Sequence, residues 1–377
     1  MATAPASLGL SWFTRPAARA WTCPPAPADV ASFHRTLPGY APTPLVELPS
    51  LAAELGVRRL FVKDESSRLG LPAFKILGAS WGVHRALCEH HGLPPRAPLA
   101  RPRDLARHGG AAGPPVRLVT ATDGNHGRAV AAMARMLGLA ADVFVPHGVH
   151  PAAVAAIKEE GAGVTEVPAP YDEAVRFAAD VAASDPSALL VQDTAWPGYE
   201  RVPQWIVDGY STLFTEIDEQ LAAAGAVPAG LVAVPAGVGS LAQAAVTHYR
   251  AGRSAPTLLC VEPDAAPCVL ASLHHDRPVT VQTGSTTMAG LNCATPSSLA
   301  WPFLRSGLDA AVAVTDAATA RTARDLAALG VSAGPCGAAS LAGARAALTP
   351  RRRSALAPQH RETVVLLSTE GSTANPA

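Results

Sequence analysis

The chain has 377 residues, of which 49% are hydrophobic and 16% charged, and its 30 basic and 30 acidic residues balance. This length suffices for two packed domains, while the balanced charge disfavours nucleic acid or an acidic membrane surface as a partner. The six cysteines form neither a C-x-x-C pair nor a His/Cys cluster at zinc-ligand spacing, so no metal site is expected.

The beginning of the chain is rich in Ala and Pro and has no hydrophobic periodicity. We therefore expect an irregular arm over residues 1–40. Its arginines follow the mildly apolar stretch, which is the reverse of a secretory signal, and this order favours a cytoplasmic protein. The segment 92–115 is rich in Pro and Arg and predicts a surface insertion.

Short apolar runs alternate with helical windows from Val116 onward. Strands are predicted for RLVTA, DVFVP, GVTEVP, ALLVQD, GLVAVPA, TLLCVEP, AVAVTD and TVVLLST. Helices are predicted over 128–137, closed by Gly138, from Pro151 onward, and over 172–183. Continuous apolar runs separated by helices are typical of parallel strands buried on both faces, so the predicted fold class is α/β.

The stretch from Leu221 to Tyr249 contains no charged Asp, Glu, Lys or Arg and is long enough to raise the question of a membrane span. It is rich in Ala and Gly, and Pro228 and Pro235 interrupt it. We interpret it as a helix end, a buried strand, a glycine loop and the next helix, so no membrane association is expected.

The loops that follow the strands are where a ligand site is expected in a parallel sheet. AGVGS, residues 236–240, follows a strand and opens a helix, which fits a phosphate cradle, although a tight turn is an equal alternative. Gly237, Gly239 and Ala242 also fit a loose dinucleotide pattern, with Glu262 at a plausible ribose-binding spacing. These alternatives stay open from this segment alone.

Two other segments carry candidate catalytic side chains. Lys75 lies in the apolar window GLPAFKILGA, where it either extends to the surface or loses its charge by forming a Schiff base. TDGNHG contains Asp123 and Asn125 beside flexible glycines, and Asp193 follows the strand ALLVQD. In isolation, Asp-Gly followed by Asn is usually a turn, and Asp193 could equally be a turn or helix-cap aspartate. His126 is expected to be structural.

Seven segments occur together and in order, namely GLPAFKILGA, ATDGNHG, VQDTAWPGYERVPQWIVDGY, AGVGSLA, VEPDAAPC, TMAGLNC and STEGST. Together they resemble fold type II pyridoxal-phosphate enzymes, which include threonine deaminase and cysteine synthase, and within them the diaminopropionate ammonia-lyases. The resemblance spans about Ala41 to Thr373. It implies pyridoxal 5′-phosphate as cofactor, a small amino-acid substrate and a homodimer.

The resemblance also implies two interleaved domains, each with a mainly parallel sheet flanked by helices. The larger, cofactor-binding domain would comprise 41–80 and 206–377, and the smaller one 81–205 with the insertion at 92–115.

By position, the resemblance assigns cofactor contacts. Lys75 resembles the lysine that forms the Schiff base, with Phe74 in the same signature, and Asn125 resembles the residue that bonds the ring hydroxyl. The phosphate loop would be Gly237, Val238, Gly239 and Ser240. Ser368 or Thr369 would present a hydroxyl near the pyridine nitrogen, which favours elimination chemistry.

The resemblance further implies a substrate-binding group formed by Thr122, Asp123, Gly124 and Asp193. Many threonine-deaminase-like members carry serine where this loop has Asp123. In the ammonia-lyases Asp123 would take the α-proton of the D-enantiomer and Lys75 that of the L-enantiomer, while Asp193 would handle the β-amino group. Two acids suit a substrate with two amines, so the expected reaction is elimination of ammonia from 2,3-diaminopropionate to give pyruvate and ammonia.

One segment departs from the ammonia-lyase pattern. Residues 331–340, VSAGPCGAAS, have Pro335 and Cys336 where an acidic residue is expected, and we interpret Cys336 as a small packing residue. The departure leaves two alternatives open, a serine or threonine dehydratase and a β-replacement synthase acting on another β-substituted amino acid. A non-catalytic binding module is disfavoured because Lys75, the glycine loop and Asn125 are all present.

Overall fold

A computed structural model describes residues 11–97, 99, 116–252 and 255–374. Its strands are β1 Trp12–Thr14, β2 Leu45–Glu47, β3 Arg59–Asp64, β4 Arg117–Ala121, β5 Ala140–Pro146, β6 Gly163–Val167, β7 Ala188–Leu190, β8 Leu231–Pro235, β9 Thr257–Pro263, β10 Ala310–Val314 and β11 Thr363–Ser368. Its α-helices are α1 Val30–Arg35, α2 Pro49–Leu55, α3 Lys75–His90, α4 Asn125–Leu137, α5 Pro151–Glu159, α6 Tyr171–Ser184, α7 Arg201–Gly209, α8 Ser211–Ala223, α9 Ser240–Ala251, α10 Cys268–His275, α11 Trp301–Gly307, α12 Asp316–Ala328, α13 Pro335–Ala347 and α14 Pro350–Arg353.

The predicted α/β class is confirmed, and every apolar run predicted to be a strand overlaps one of β4 to β11. α4 ends at Leu137 because Gly138 adopts the left-handed conformation with φ 69°. α5 begins at Pro151, whose fixed φ suits the first helical position. α4 begins three residues before the predicted start, so that Asn125 and His126 lie in its first turn.

The residues fall into two compact units. The first unit comprises Met1–Pro25, Leu45–Lys63 and Asp218–Ser368. Its seven-stranded sheet has the order β1-β10-β9-β8-β11-β3-β2, and β10, β9, β8 and β11 run parallel to one another. The chain leaves β8 toward β9 and β10 and returns on the other side of β8 as β11. The loops after β8 and β11 therefore lie at a topological switch point, where ligands bind in such sheets.

The second unit comprises Ala26–Pro44, Asp64–Ile217 and Thr369–Ala377. Its four-stranded sheet has the order β6-β5-β4-β7 and is parallel throughout. The strands β5 and β6 extend from one side of β4, and β7 pairs with the other side. This second switch point lies between the ends of β4 and β7, which Asp123 and Asp193 follow by two and three residues.

The unit boundaries differ from the predicted domains. Residues 41–44, 64–80, 206–217 and 369–377 were predicted in the larger domain and lie in the second unit. The cause is a close approach of α3 and α7. A Cβ atom on Gly209 would lie 2.5 Å from the carbonyl oxygen of Leu77, and one on Gly78 would lie 2.7 Å from a methyl carbon of Ile206. Glycine at these positions allows the two helices to pack backbone to backbone.

Two predicted segments fall partly outside the described residues. Residues 1–10 of the predicted arm and most of the predicted insertion at 92–115 lie outside the described residues. The described part of the arm is more regular than expected. β1 pairs antiparallel with β10, and a 3-10 helix over Pro16–Ala20 and the helix α1 follow.

The uncharged stretch from Leu221 to Tyr249 contains the end of α8, the strand β8, the glycine loop and most of α9, as predicted. In the described part of the chain, no helix combines the length and apolarity that crossing a membrane requires.

Candidate active site

Lys75 is the first residue of α3 and is held in place by the segment before it. The backbone N–H of Phe74 donates to the carbonyl oxygen of Thr369 at 3.2 Å, and the backbone N–H of Gly371 donates to the carbonyl oxygen of Pro72 at 2.9 Å. These bonds fix the start of α3 against the segment STEGST. Two motifs that lie almost 300 residues apart in the sequence are therefore neighbours within the second unit.

The ammonium group of Lys75 donates a hydrogen bond to Oδ2 of Asp193 at 2.6 Å. The Lys75 side chain is 24% exposed and that of Asp193 is 9% exposed. Burial alone would raise the pKa of Asp193, but two positive groups outweigh it and lower this pKa to about 2: the His126 imidazole, which is protonated only in the acid range where Asp193 titrates, and the Lys75 ammonium. Burial likewise opposes the charge on Lys75, yet the carboxylate of Asp193 raises its pKa above the usual range. Lys75 is therefore only partly exposed and is paired with a buried carboxylate.

Gln192 fixes the position of Asp193, and the sequence analysis missed it. Its buried side-chain oxygen accepts hydrogen bonds from the backbone of Ala121 at 2.9 Å and from the hydroxyl of Thr120 at 3.2 Å. Its amide nitrogen donates to the hydroxyl of Tyr171 at 3.1 Å and to Oδ1 of Asp193 at 3.4 Å. Gln192 thus ties the loop after β7 to the end of β4, and a glutamine after a strand gives no sequence signal for this.

Asp123 lies in a tight loop that Thr122 organises. The Thr122 hydroxyl accepts hydrogen bonds from the backbone N–H groups of Gly124 at 3.0 Å and Gly127 at 3.1 Å. The Asp123 side chain reaches solvent, but surrounding protein atoms desolvate its carboxylate and raise the pKa to about 6 against the opposing effect of Lys75. A carboxyl group with this pKa can exchange a proton near neutral pH.

Asn125 is hydrogen-bonded to a residue that the sequence analysis did not single out. Its amide nitrogen donates to Oε2 of Glu370 at 2.7 Å, and Glu370 is 2% exposed. Glu370 lies in STEGST, so this motif supplies a carboxylate as well as hydroxyl groups. The contact orients the Asn125 amide at the N-terminus of α4.

Two aromatic side chains lie beside Lys75. The rings of Phe74 and Tyr210 lie 4.8 Å apart, and the Lys75 ammonium lies 5.7 Å from the centre of the Phe74 ring. The buried phenol of Tyr210 also interacts with Lys75. Burial raises the pKa of Tyr210 to about 12, although the Lys75 charge lowers it, so Tyr210 keeps its proton at neutral pH.

In the first unit, the loop Ala236–Gly239 connects β8 to α9 as predicted. Gly239 has φ 98°, a conformation that favours glycine. A Cβ atom on Gly237 would lie 2.8 Å from Sγ of Cys293 and 3.0 Å from the carbonyl oxygen of Gly290. The loop ends at Ser240, the first residue of α9, where helix N–H groups without intrahelical partners can bind an anion.

The dinucleotide alternative fails at Glu262. This residue is fully buried, and its two carboxylate oxygens accept hydrogen bonds from the backbone of Val269 and Leu270, each at 2.7 Å. Both oxygens are occupied at the start of α10, so they are not available to a ribose.

Ser368 is the last residue of β11, the strand beside β8 in the first sheet, and Thr369 follows it. Ser368 is fully buried and Thr369 is 4% exposed. Among the described residues, neither hydroxyl oxygen has a hydrogen-bond partner. Buried polar groups are rarely left without a partner in folded proteins, so these hydroxyls indicate a ligand.

The unusual pair at 335–336 begins α13, with Pro335 at the first helical position. Cys336 is 4% exposed and belongs to the apolar core of the first unit, and a Cβ atom on Gly290 would lie 3.5 Å from its Sγ. This location agrees with the interpretation of Cys336 as a small packing residue.

The sequence pattern of the family described as "Pyridoxal-phosphate dependent enzyme" matches residues 36–370. The chain belongs to this family. It is 39% identical to diaminopropionate ammonia-lyase of Salmonella typhimurium, over 78% of this chain and 74% of that protein. It is 36% identical to the Escherichia coli K12 protein of the same name, over 90% of this chain and 87% of that protein.

Solved structures support the same family. The crystal structure of diaminopropionate ammonia lyase from Escherichia coli in complex with an aminoacrylate-PLP azomethine reaction intermediate aligns with a TM-score of 0.84 at 32% identity, covering 97% of this chain and 95% of that one. The crystal structure of a threonine deaminase from T.th. aligns with a TM-score of 0.72 at 25% identity, covering 92% of this chain and 98% of that one.

Pyridoxal phosphate is the cofactor of this enzyme family, and the residues present suit it. In the second unit Lys75 offers an amine, and in the first unit the N-terminus of α9 offers backbone N–H groups of the kind that bind a phosphate. The buried hydroxyls of Ser368 and Thr369 have no hydrogen-bond partner among the described residues, as expected of groups that would bond to a pyridine ring.

Proposed function

We propose that this pyridoxal-phosphate enzyme eliminates ammonia from 2,3-diaminopropionate and, with one water, yields pyruvate and a second ammonia. The observation that carries the proposal is the contact of Lys75 with the carboxylate of Asp193 at 2.6 Å, with Asp123 close enough to influence the Lys75 charge. A substrate with two amines needs an anionic partner for the amine that does not bond to the cofactor. The relatives named diaminopropionate ammonia-lyase support this choice of substrate.

The proposed cofactor contacts follow the family pattern. Lys75 would bond covalently to the cofactor beside Phe74, and Asn125, oriented by Glu370, would bond the ring hydroxyl. Gly237, Val238, Gly239 and Ser240 would bind the phosphate through backbone N–H groups. A hydroxyl of Ser368 or Thr369 would face the pyridine nitrogen. When bound, pyridoxal phosphate supplies an electron sink for the negative charge that develops at the substrate α-carbon.

Two groups of this chain are proposed to remove the α-proton. Lys75, once its amine is neutral, would accept the proton of the L-enantiomer. Asp123 would accept that of the D-enantiomer, and its pKa of about 6 places a useful fraction in the basic form at neutral pH. Thr122 and Gly124 hold the Asp123 loop in its tight conformation and would form the wall against which the substrate binds.

Asp193 is proposed to bind the β-amino group as an ammonium. Its pKa of about 2 keeps it anionic at neutral pH, and it already accepts a hydrogen bond from one ammonium, that of Lys75. A protonated β-amino group is a far better leaving group than a neutral one, because it departs as neutral ammonia. Asp193 would therefore both position the substrate and keep the leaving group protonated.

The test is to mix the purified holoenzyme with L- and with D-2,3-diaminopropionate and to measure pyruvate and ammonia. Two ammonia per pyruvate are expected, whereas serine or threonine would release only one. No pyruvate and no ammonia from either enantiomer would refute the substrate assignment.

The same assay decides between the alternatives. Faster turnover of serine or threonine than of diaminopropionate would identify a dehydratase. Product formation only after addition of a thiol or amine acceptor would identify a β-replacement synthase. A cytoplasmic location and a homodimeric assembly stay predictions from the sequence and the family.

A further inference from the structure

His126 lies at the N-terminus of α4 and is 4% exposed. Its Nε2 lies 2.8 Å from the carbonyl oxygen of Val191, and its Nδ1 lies 3.7 Å from Oδ2 of Asp193. Oδ2 is also the oxygen that accepts the hydrogen bond from Lys75. One carboxylate oxygen of Asp193 thus lies between the Lys75 ammonium and the His126 imidazole.

The contact with Val191 determines where the imidazole carries its proton. A carbonyl oxygen can only accept a hydrogen bond, so Nε2 of His126 must carry hydrogen. In the neutral ring, Nδ1 then has a lone pair and no hydrogen. Among the described residues, this buried Nδ1 has no hydrogen-bond partner. It is therefore an unused proton acceptor that faces a carboxylate.

Lys75 needs such an acceptor. An ammonium has no lone pair, so Lys75 must lose one proton before its amine can attack the cofactor or take a proton from the substrate. Asp193 cannot keep that proton at neutral pH, because its pKa is about 2. Nδ1 of His126 is a proton acceptor that lies 3.7 Å from Oδ2.

We propose that a proton passes from Nζ of Lys75 through Oδ2 of Asp193 to Nδ1 of His126. The Nζ–H bond breaks, an Nδ1–H bond forms, and Asp193 is ionised before and after the transfer. The resulting imidazolium donates a hydrogen bond from Nδ1 to Oδ2 and so replaces the ammonium as the positive partner of Asp193. His126 is then a positioning residue that holds a proton for Lys75. The kinetic test of this role rests on the proposed function, whereas the proton transfer itself can be tested without turnover.

The charges around His126 make this transfer depend on the state of Lys75. Burial lowers the pKa of His126, the carboxylate of Asp193 raises it, and the Lys75 ammonium lowers it. The N-terminus of α4 also disfavours a positive ring. His126 is therefore neutral while Lys75 is charged. When Lys75 loses its charge, it no longer lowers the pKa of His126, while the carboxylate of Asp193 still raises it. The pKa of His126 must therefore rise.

The decisive experiment is an NMR pH titration of the full chain labelled with ¹⁵N-histidine, without added cofactor, for the wild type and for Lys75→Met. His126→Gln identifies the His126 signals among the 12 histidines. In the wild type at pH 7 we expect a neutral ring with the proton on Nε2. In Lys75→Met we expect the protonation equilibrium of His126 to shift by about tenfold or more toward the imidazolium. An unchanged titration, or a wild-type ring with its proton on Nδ1, would refute the relay.

A kinetic comparison tests the same inference in the holoenzyme. His126→Gln keeps a donor for the Val191 carbonyl oxygen but removes the titrating nitrogen, so we expect kcat to fall about 10²-fold with KM nearly unchanged. His84→Gln is the matched control, since His84 is also buried with its Nε2 against a carbonyl oxygen, that of Pro95 at 3.3 Å. It should retain wild-type kcat. Wild-type kcat in His126→Gln would contradict the relay, whereas an inactive wild type would refute only the proposed function, because the titration needs no turnover.

Discussion

Lys75 and Asp193 are 118 residues apart in the chain, and their side chains meet at 2.6 Å. Lys75 begins the helix α3 and Asp193 follows the strand β7, both within the second unit. The pair is only partly exposed, so each side chain stabilises the charge of the other more strongly than it would at the surface.

Replacing Lys75 by Ala should remove the visible absorption band of the bound cofactor and abolish turnover, because no other amine is available at the start of α3. An absorption spectrum of the purified protein checks this directly. Lys158→Ala is the control, since Lys158 is exposed on α5 and should leave both band and turnover intact. A Lys75→Ala protein that keeps the band would place the covalent bond elsewhere.

Replacing Asp193 by Asn should lower kcat/KM for diaminopropionate by about 10²-fold or more, because the amide has the same shape but no charge to hold an ammonium. Turnover of serine should fall less, because its β-hydroxyl group carries no positive charge for Asp193 to bind. The ratio of the two kcat/KM values measures the contribution of the charge. An equal loss for both substrates would show that Asp193 acts on Lys75 and not on the substrate.

Replacing Asp123 by Asn should abolish turnover of D-2,3-diaminopropionate and spare most turnover of the L-enantiomer. Only the ionised carboxylate is a base, and the pKa of Asp123 is raised to about 6. In the wild type, the D-specific rate should therefore be lost as the pH falls through about 6 and should level off above it. The pH profile of kcat for each enantiomer checks this prediction, and equal losses for the two enantiomers in the variant would contradict it.

Replacing Gly239 by Ala should weaken cofactor binding and lower the melting temperature. Its φ of 98° costs a residue with a side chain about 1–2 kcal/mol, and the added Cβ would lie 2.5 Å from Cδ1 of Leu304. Gly330→Ala is the matched control because Gly330 has φ 84° and open space around it. It should show the backbone cost alone and bind the cofactor normally. Cofactor titration and thermal unfolding of both variants measure the difference.

Much of the fold could be predicted from local patterns. Apolar runs such as RLVTA and TLLCVEP are strands with the predicted bounds, since a strand buried on both faces is apolar along its whole length. Gly138 and Pro151 mark helix ends because their backbone preferences act within a few residues. The boundaries of the two units were harder to predict, because they depend on the close packing of α3 against α7, which leaves no periodic signal.

The candidate site divides in the same way. Lys75, Asp123 and Asp193 could be named as candidates because each lies in a segment of unusual composition, and ligand sites form at the ends of parallel strands. Their roles were implied only by the resemblance of seven ordered segments to fold type II pyridoxal-phosphate enzymes. Their mutual contacts could not be named. The strand order β6-β5-β4-β7 brings the loops that carry Asp123 and Asp193 to one edge of the sheet, and only then do Gln192 and His126 acquire partners. Hydrophobic patterning reports which face of an element is buried, whereas the protonation states that matter for chemistry depend on distances between side chains remote in the chain.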